Sequence, residues 1–130
     1  MDDRKMDELS DAFDACASYF GVLSEPMRLR ILRSICEQEK SVSEIIEDTG
    51  ATQTNISRHL NLMHRSGVLA RRRDGNQIFY RVADVAMVEI CRTVCRRISE
   101  RIDAKTPLRR DLLQLLPKAK ATARSKARSA

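Results

Sequence analysis

A chain of 130 residues with 42% hydrophobic content can bury one sizeable core, so a single domain is expected. Only 4% of residues are aromatic and none is Trp, which favours a helical core of Leu, Ile, Val and Met over a β-sandwich. The formal charge of +6 is unevenly spread and points to a polyanionic partner: residues 1–20 carry six acids and two bases, residues 51–82 six Arg and one Asp, and residues 118–130 five Lys or Arg and no acid.

No apolar run approaches the ~18 residues of a membrane span, and the start shows no signal-peptide pattern. A cytoplasmic, reduced chain without a membrane partner is therefore expected. Its four cysteines then read as free thiols, metal ligands or redox sensors more readily than as structural disulfides.

Met6, Leu9, Phe13, Cys16, Ala17, Phe20 and Leu23 recur at helical spacing and predict a first amphipathic helix over 5–23, with Asp7, Glu8, Asp11 and Asp14 on its wet side. Ser24 and Glu25 break the pattern, and Pro26 opens a second helix to about Glu37 that buries Leu29, Leu32, Ile35 and Cys36. Ser41 and Glu44 form a capping-box signature for a short third helix, which uses Val42, Ile45 and Ile46 and ends at Gly50.

Residues 51–67 then read as a helix with Ile56, Leu60, Leu62 and Met63 inward and Gly67 as its left-handed cap. Its other face carries Gln53, Thr54, Asn55, Ser57, Arg58 and His59, without an acid. Short polar and basic side chains of this kind reach base edges and phosphates, so this is a candidate DNA recognition helix. With the helix before it, it reads as a helix-turn-helix.

After Gly67 the period changes to two. Residues 68–73 and 77–82 flank Asp74, Gly75 and Asn76, a hairpin signal. A hairpin here is a wing, which sets Arg71, Arg72, Arg73, Asn76 and Gln77 beside the same groove for phosphate or minor-groove contact. A long helix follows over 84–103, with Val85, Val88, Cys91, Val94, Cys95, Ile98 and Ile102 as one unbroken stripe. That stripe is longer than a small domain needs and predicts a homodimer about a two-fold axis. Pro107 opens a short last helix through Leu116. The domain is thus expected over 1–116, with a basic tail over 117–130 that beyond Pro117 has no apolar residue larger than Ala and reads as disordered.

The predicted fold is mainly α with a small β-hairpin wing. This layout resembles the ArsR/SmtB family of bacterial winged-helix repressors. The matching segments are Leu23-Ser-Glu-Pro-Met-Arg-Leu-Arg-Ile-Leu32, Ser57-Arg-His-Leu-Asn-Leu-Met-His-Arg-Ser-Gly-Val-Leu69 and Arg73-Asp-Gly-Asn-Gln-Ile-Phe-Tyr-Arg81, spread over about half the chain. The resemblance implies a homodimer held by the first and long last helices. It also implies a double-stranded, inverted-repeat operator and release by an inducer. It places His59 at a family DNA-contact position.

The family's best-known metal patterns are absent. Ile45 and Ile46 stand where a Cys-x-Cys run near Glu44 would be needed, and residues 84–103 contain no His. What remains is thiol chemistry. Cys91 and Cys95, spaced i, i+4, share a helix face. With a third sulfur, for which Cys16 is a candidate, they suit a thiophilic metal or metalloid ion. The resemblance also implies an alternative, a dithiol or polysulfide switch pairing a second-helix cysteine with one in the last helix, here Cys36 and Cys95. Four small buried hydrophobes, without sensing, are the plain alternative. An enzyme is not expected, because no base, oxyanion loop or Gly-rich phosphate cradle accompanies the thiols. A winged helix used only for protein contacts would not need the arginine run.

Overall fold

A computed structural model describes residues 2–102 together with Pro107, Leu108 and Arg110. Its elements are α1 (Asp3–Gly21), α2 (Pro26–Ile35), β1 (Lys40–Ser41), α3 (Val42–Thr49), α4 (Gln53–Arg65), β2 (Leu69–Asp74), β3 (Gln77–Val82) and α5 (Val85–Glu100). The expected winged helix-turn-helix is present, with the extra short strand β1. Of the last expected helix, Pro107, Leu108 and Arg110 are helical and exposed. The rest of that helix, and the 117–130 tail, lie outside the described residues.

Local chemistry sets the element ends. Glu25 caps α2 by accepting the Arg28 N–H at 3.1 Å, with Pro26 as first helical residue. At α3 the Glu44 N–H donates to Ser41 Oγ at 3.2 Å and the Ser41 N–H donates to Glu44 Oε1 at 3.0 Å, a complete capping box. Gly50, at φ 70°, ends α3 in the left-handed region that a side chain rarely adopts, and so turns the chain towards α4. Thr52 caps α4 through the Asn55 N–H.

The three strands form one antiparallel sheet in the order β1-β3-β2. β2 and β3 pair from Leu69 with Val82 to Asp74 with Gln77, so Gly75 and Asn76 alone make the turn. Gly75 has φ 64°, whereas Asn76 after it does not have positive φ, which is the pattern of a turn with glycine first. β1 pairs Lys40 with Tyr80 and Ser41 with Phe79. It is too short to leave a period-two signature, and Ser41 also serves as a helix cap.

The core is formed by Ile31, Leu32 and Ile35 of α2, Ile45 of α3, and Ile56, Leu60 and Met63 of α4. Val68, Leu69 and Tyr80 close it below, and Met87 and Val88 of α5 join it. α1 is different, having no buried residue in 19. It is tied to the domain by Val22 in the core, by Tyr19 Oη donating to Asp84 Oδ2 at 2.7 Å, and by Arg28 donating to the Val22 and Gly21 carbonyls. Asp84 also caps α5 by accepting the Met87 N–H.

The stripe expected on α5 divides in two. Val88, Cys91, Cys95 and Ser99 are buried with Met87, whereas Val85, Val94 and Ile98 are exposed. The helix is rotated so that Ser99, rather than Ile98, faces inward, its hydroxyl satisfied by the Arg96 carbonyl at 2.7 Å. On α2, Ile31 takes the fully buried place expected for Leu29.

Because Ile56 is fully buried between the supporting helices and α4, Ile56→Ala should lower unfolding free energy by about 2–5 kcal/mol, read from urea denaturation.

Candidate nucleic-acid interface

α4 buries Ile56, His59, Leu60 and Met63, the i, i+3, i+4, i+7 pattern of a helix lying on a core. The opposite side exposes Gln53, Thr54 and Arg58 to solvent, with Asn55 and Ser57 half-buried beside them. Arg58 Nη2 donates to Asn55 Oδ1 at 2.8 Å, one turn apart on that face. Asn61 and Arg65 continue it towards the C-terminus, both exposed. Sequence reasoning missed these two, although i+3 and i+7 from Arg58 place them on the same surface.

His59 corrects the sequence reading. It is 6% exposed, with its Nε2 3.5 Å from Glu25 Oε2, and lies inside rather than on the groove-facing surface. Burial pushes its imidazole below the ordinary 6.5, against the opposing pull of Glu25. The spacing already carried this information, since 56, 59, 60 and 63 fall on one stripe. A polar residue type on that stripe obscured it.

The wing separates its three arginines by strand alternation. Arg71 and Arg73 lie on one face of β2 and Arg72 on the other. Arg72, although exposed, is already paired within the protein. Its Nε donates to both Glu39 carboxylate oxygens at 3.0 Å, its Nη2 donates to Oε1 at 2.6 Å, and its guanidinium stacks 4.5 Å over the Phe79 ring. The Arg72 hydrogen bonds hold the Glu39 carboxyl below its usual range. Arg71, Arg73, Asn76 and Gln77 are exposed.

The cysteines fall into two places. Cys16 is exposed on α1. Cys91 and Cys95 are buried neighbours on α5, and the half-buried Cys36, at the end of α2, lies close enough to raise the Cys91 thiol further. Cys36, rather than Cys16, is thus the third thiol near enough to act electrostatically on Cys91. Each thiol acts on the other: Cys91 pulls the Cys95 thiol down to about 7, and Cys95, with burial, holds the Cys91 proton well above the ordinary thiol range. Among the described residues no three His, Cys, Asp or Glu side chains are arranged to hold a metal ion, and no helix is long and apolar enough to cross a membrane.

The family model for bacterial regulatory proteins of the arsR family matches residues 25–70, from the α2 cap to the start of the wing. The crystal structure of Rv0081 from Mycobacterium tuberculosis superposes with a TM-score of 0.60 at 35% identity, covering 69% of this chain and 90% of that one. This chain belongs to the ArsR family. It is a family of DNA-binding transcriptional regulators, not of enzymes. In sequence, Rv0081, an HTH-type transcriptional regulator, is 39% identical over 75 residues, which are 57% of this chain and 66% of the relative. A probable mercury resistance operon repressor of Streptomyces lividans is 35% identical over 83 residues, 60% of this chain and 66% of the relative. The transcriptional repressor BigR from Xylella fastidiosa superposes with a TM-score of 0.55 at 28% identity, covering 69% and 89% of the two chains. The matched stretch thus spans about two thirds of the length of both sequence relatives, and this ArsR-family chain shares with them the helix-turn-helix core.

The buried His59 sets a pH dependence. Below about 6.5 the unfolded chain takes up a proton that the native imidazole resists, so native stability is full above that pH and declines as pH falls through it. His59→Gln should flatten the dependence of the urea midpoint in this window, above the range where carboxylates titrate.

Proposed function

We propose that this chain is a dimeric transcriptional repressor that binds an inverted-repeat, double-stranded DNA operator and is released when its α2–α5 thiols are modified. The observation that carries the DNA reading is the acid-free outer face of α4, set next to a wing that projects Arg71 and Arg73. Gln53, Thr54 and Ser57 on the first turns would read base edges in the major groove, as recognition helices do with their N-terminal residues. Arg58, Arg71, Arg73, Asn76 and Gln77 would hold phosphates or the minor groove. Arg72 would act indirectly, by fixing the wing to Glu39.

Dimerisation is supported by surface that a monomer leaves wet. Met6, Leu9, Phe13 and Phe20 of α1 are 54%, 46%, 65% and 59% exposed, and Val94 and Ile98 of α5 are 52% and 42% exposed. A 19-residue helix that buries none of its own side chains needs a second surface to cover it. A two-fold pairing of these helices sets two α4 copies about one DNA turn apart, ~34 Å.

The thiol reading rests on the Cys36, Cys91 and Cys95 neighbourhood. Cys95, whose thiol is lowered by its neighbour Cys91, is the expected nucleophile towards an oxidant or a reactive sulfur species. Cys91 or Cys36 would resolve it as a disulfide or sulfur-bridged link, with two electrons passing to the oxidant.

Gel-shift titration against the promoter region of the chain's own operon should give one retarded dimer species. Phe13→Glu should shift the protein to monomer in sedimentation and weaken operator binding at least tenfold. A monomeric wild type that binds half-sites alone would refute the dimer. Ultraviolet thiolate absorbance should titrate with a midpoint near 7 in the reduced protein. Cys91→Ala removes the neighbour that lowers it and should move that midpoint upward, whereas Cys16→Ala should not.

A further inference from the structure

Beyond the base-reading turns of α4, at the root of the wing, lies an open cleft of about 330 Å³ lined by Arg58, Asn61, His64, Arg65 and Arg71. Three arginines line it and no acid does. Two features of the fold bring them together. Residues 58, 61 and 65 follow one another at i, i+3 and i+7 along the exposed side of α4, a run of about 10 Å along the axis. Strand alternation then aims Arg71 of β2 at this side, while Arg72 is drawn away to Glu39.

The cleft is assembled but its charge is not neutralised. Arg71 Nη1 donates to Asn61 Oδ1 at 3.4 Å and to Tyr80 Oη at 3.5 Å, both long contacts to neutral oxygens. Asn61 thereby turns its carbonyl towards Arg71 and keeps its amide N–H groups for another acceptor. Arg58 is held by the neutral Asn55, and Arg65 has no acceptor among the described residues. Elsewhere Lys40, Arg72, Arg92 and Arg97 each meet a carboxylate. Guanidinium groups gathered around one open space without an acid repel one another until an anion enters.

We propose that this cleft clamps a single phosphate of the DNA backbone, with Arg65 and Arg71 supplying charge and the Asn61 amide a neutral donor. The proposal rests on the DNA-binding reading above and adds to it a register-setting contact distinct from the base-reading residues. A recognition helix enters the groove by its first turns, so its later turns pass beside the strand at the rim, where a phosphate is the available anion. The clamp therefore fixes how deep α4 sits and along which phosphate it is indexed, without reading sequence.

The test is the salt dependence of binding to a random-sequence duplex, by fluorescence anisotropy with the full chain. Arg65→Gln and Arg71→Gln should each reduce the slope of log Kobs against log salt by about 1, the value for one lost phosphate contact. Because both arginines share one phosphate, the double variant should lose no more than either single variant. Lys5→Gln, the same charge change on the acidic first helix, should leave the slope unchanged. Arg65 and Arg71 are exposed, so wild-type thermal melting in the variants confirms that the readout concerns binding.

Unchanged slopes in a protein that binds the duplex would overturn the clamp and leave the DNA reading standing. A slope loss of about 2 in the double variant would show two separate contacts and overturn it equally. The same loss in Lys5→Gln would reduce it to general charge. A wild type that binds no duplex overturns the functional reading and the clamp with it. Inorganic phosphate added to the DNA-free protein is the last arm: an Arg65-dependent chemical shift, together with unchanged duplex slopes, would assign the cleft to a soluble phosphorylated ligand instead.

Discussion

The interface depends on the burial of one stripe of α4. Ile56, His59, Leu60 and Met63 sit on the hydrophobic surface made by Ile31, Leu32, Ile35 and Ile45, and this fixes the rotation of the helix about its axis. Everything that faces outward follows from that rotation. A turn of one residue, 100° on a helix, would bring Ser57 inside and put Ile56 into the groove. The capped turn between α3 and α4 serves the same end, since Ser41, Gly50 and Thr52 decide where each helix begins and stops. The set of side chains that α4 presents outward is thus decided by internal packing.

The wing obeys a similar constraint through a different period. Its register is locked from Leu69 with Val82 to Asp74 with Gln77, and Leu69 and Tyr80 anchor it in the core. With that register set, successive arginines must face opposite ways. One face sends Arg71 and Arg73 to solvent, and the other delivers Arg72 to Glu39 and the Phe79 ring. Three adjacent residues of one type therefore have two roles, and only strand pairing distinguishes them.

Much of this was legible in the sequence. The capping box at Ser41 and Glu44, the glycines at 50, 67 and 75, and the change of period at Val68 are local signals, and the elements they predict are the ones found. What escaped depended on contacts distant in sequence. β1 exists only because Tyr80 and Phe79 pair with it. Glu39 meets Arg72 across 33 positions, and the acid beside Arg72 in sequence, Asp74, makes only the longer 3.8 Å contact. The inward turn of Ser99 and outward turn of Ile98 depend on how α5 settles on the domain, which a stripe of apolar residues leaves open by tens of degrees. The nearness of Cys36 to Cys91, across 55 positions, is likewise a product of the tertiary fold. His59 is the exception, because its place on the buried stripe was readable from spacing alone.

The bridge between Glu39 and Arg72 has a mechanical consequence. Glu39 stands three residues after Cys36, in the segment that joins the end of α2 to β1. β1 in turn is hydrogen-bonded to β3 of the wing. The joint is therefore fastened twice, by backbone pairing at one point and by a forked ion pair at another, so the hairpin is held to the end of the α2 segment as well as to the core.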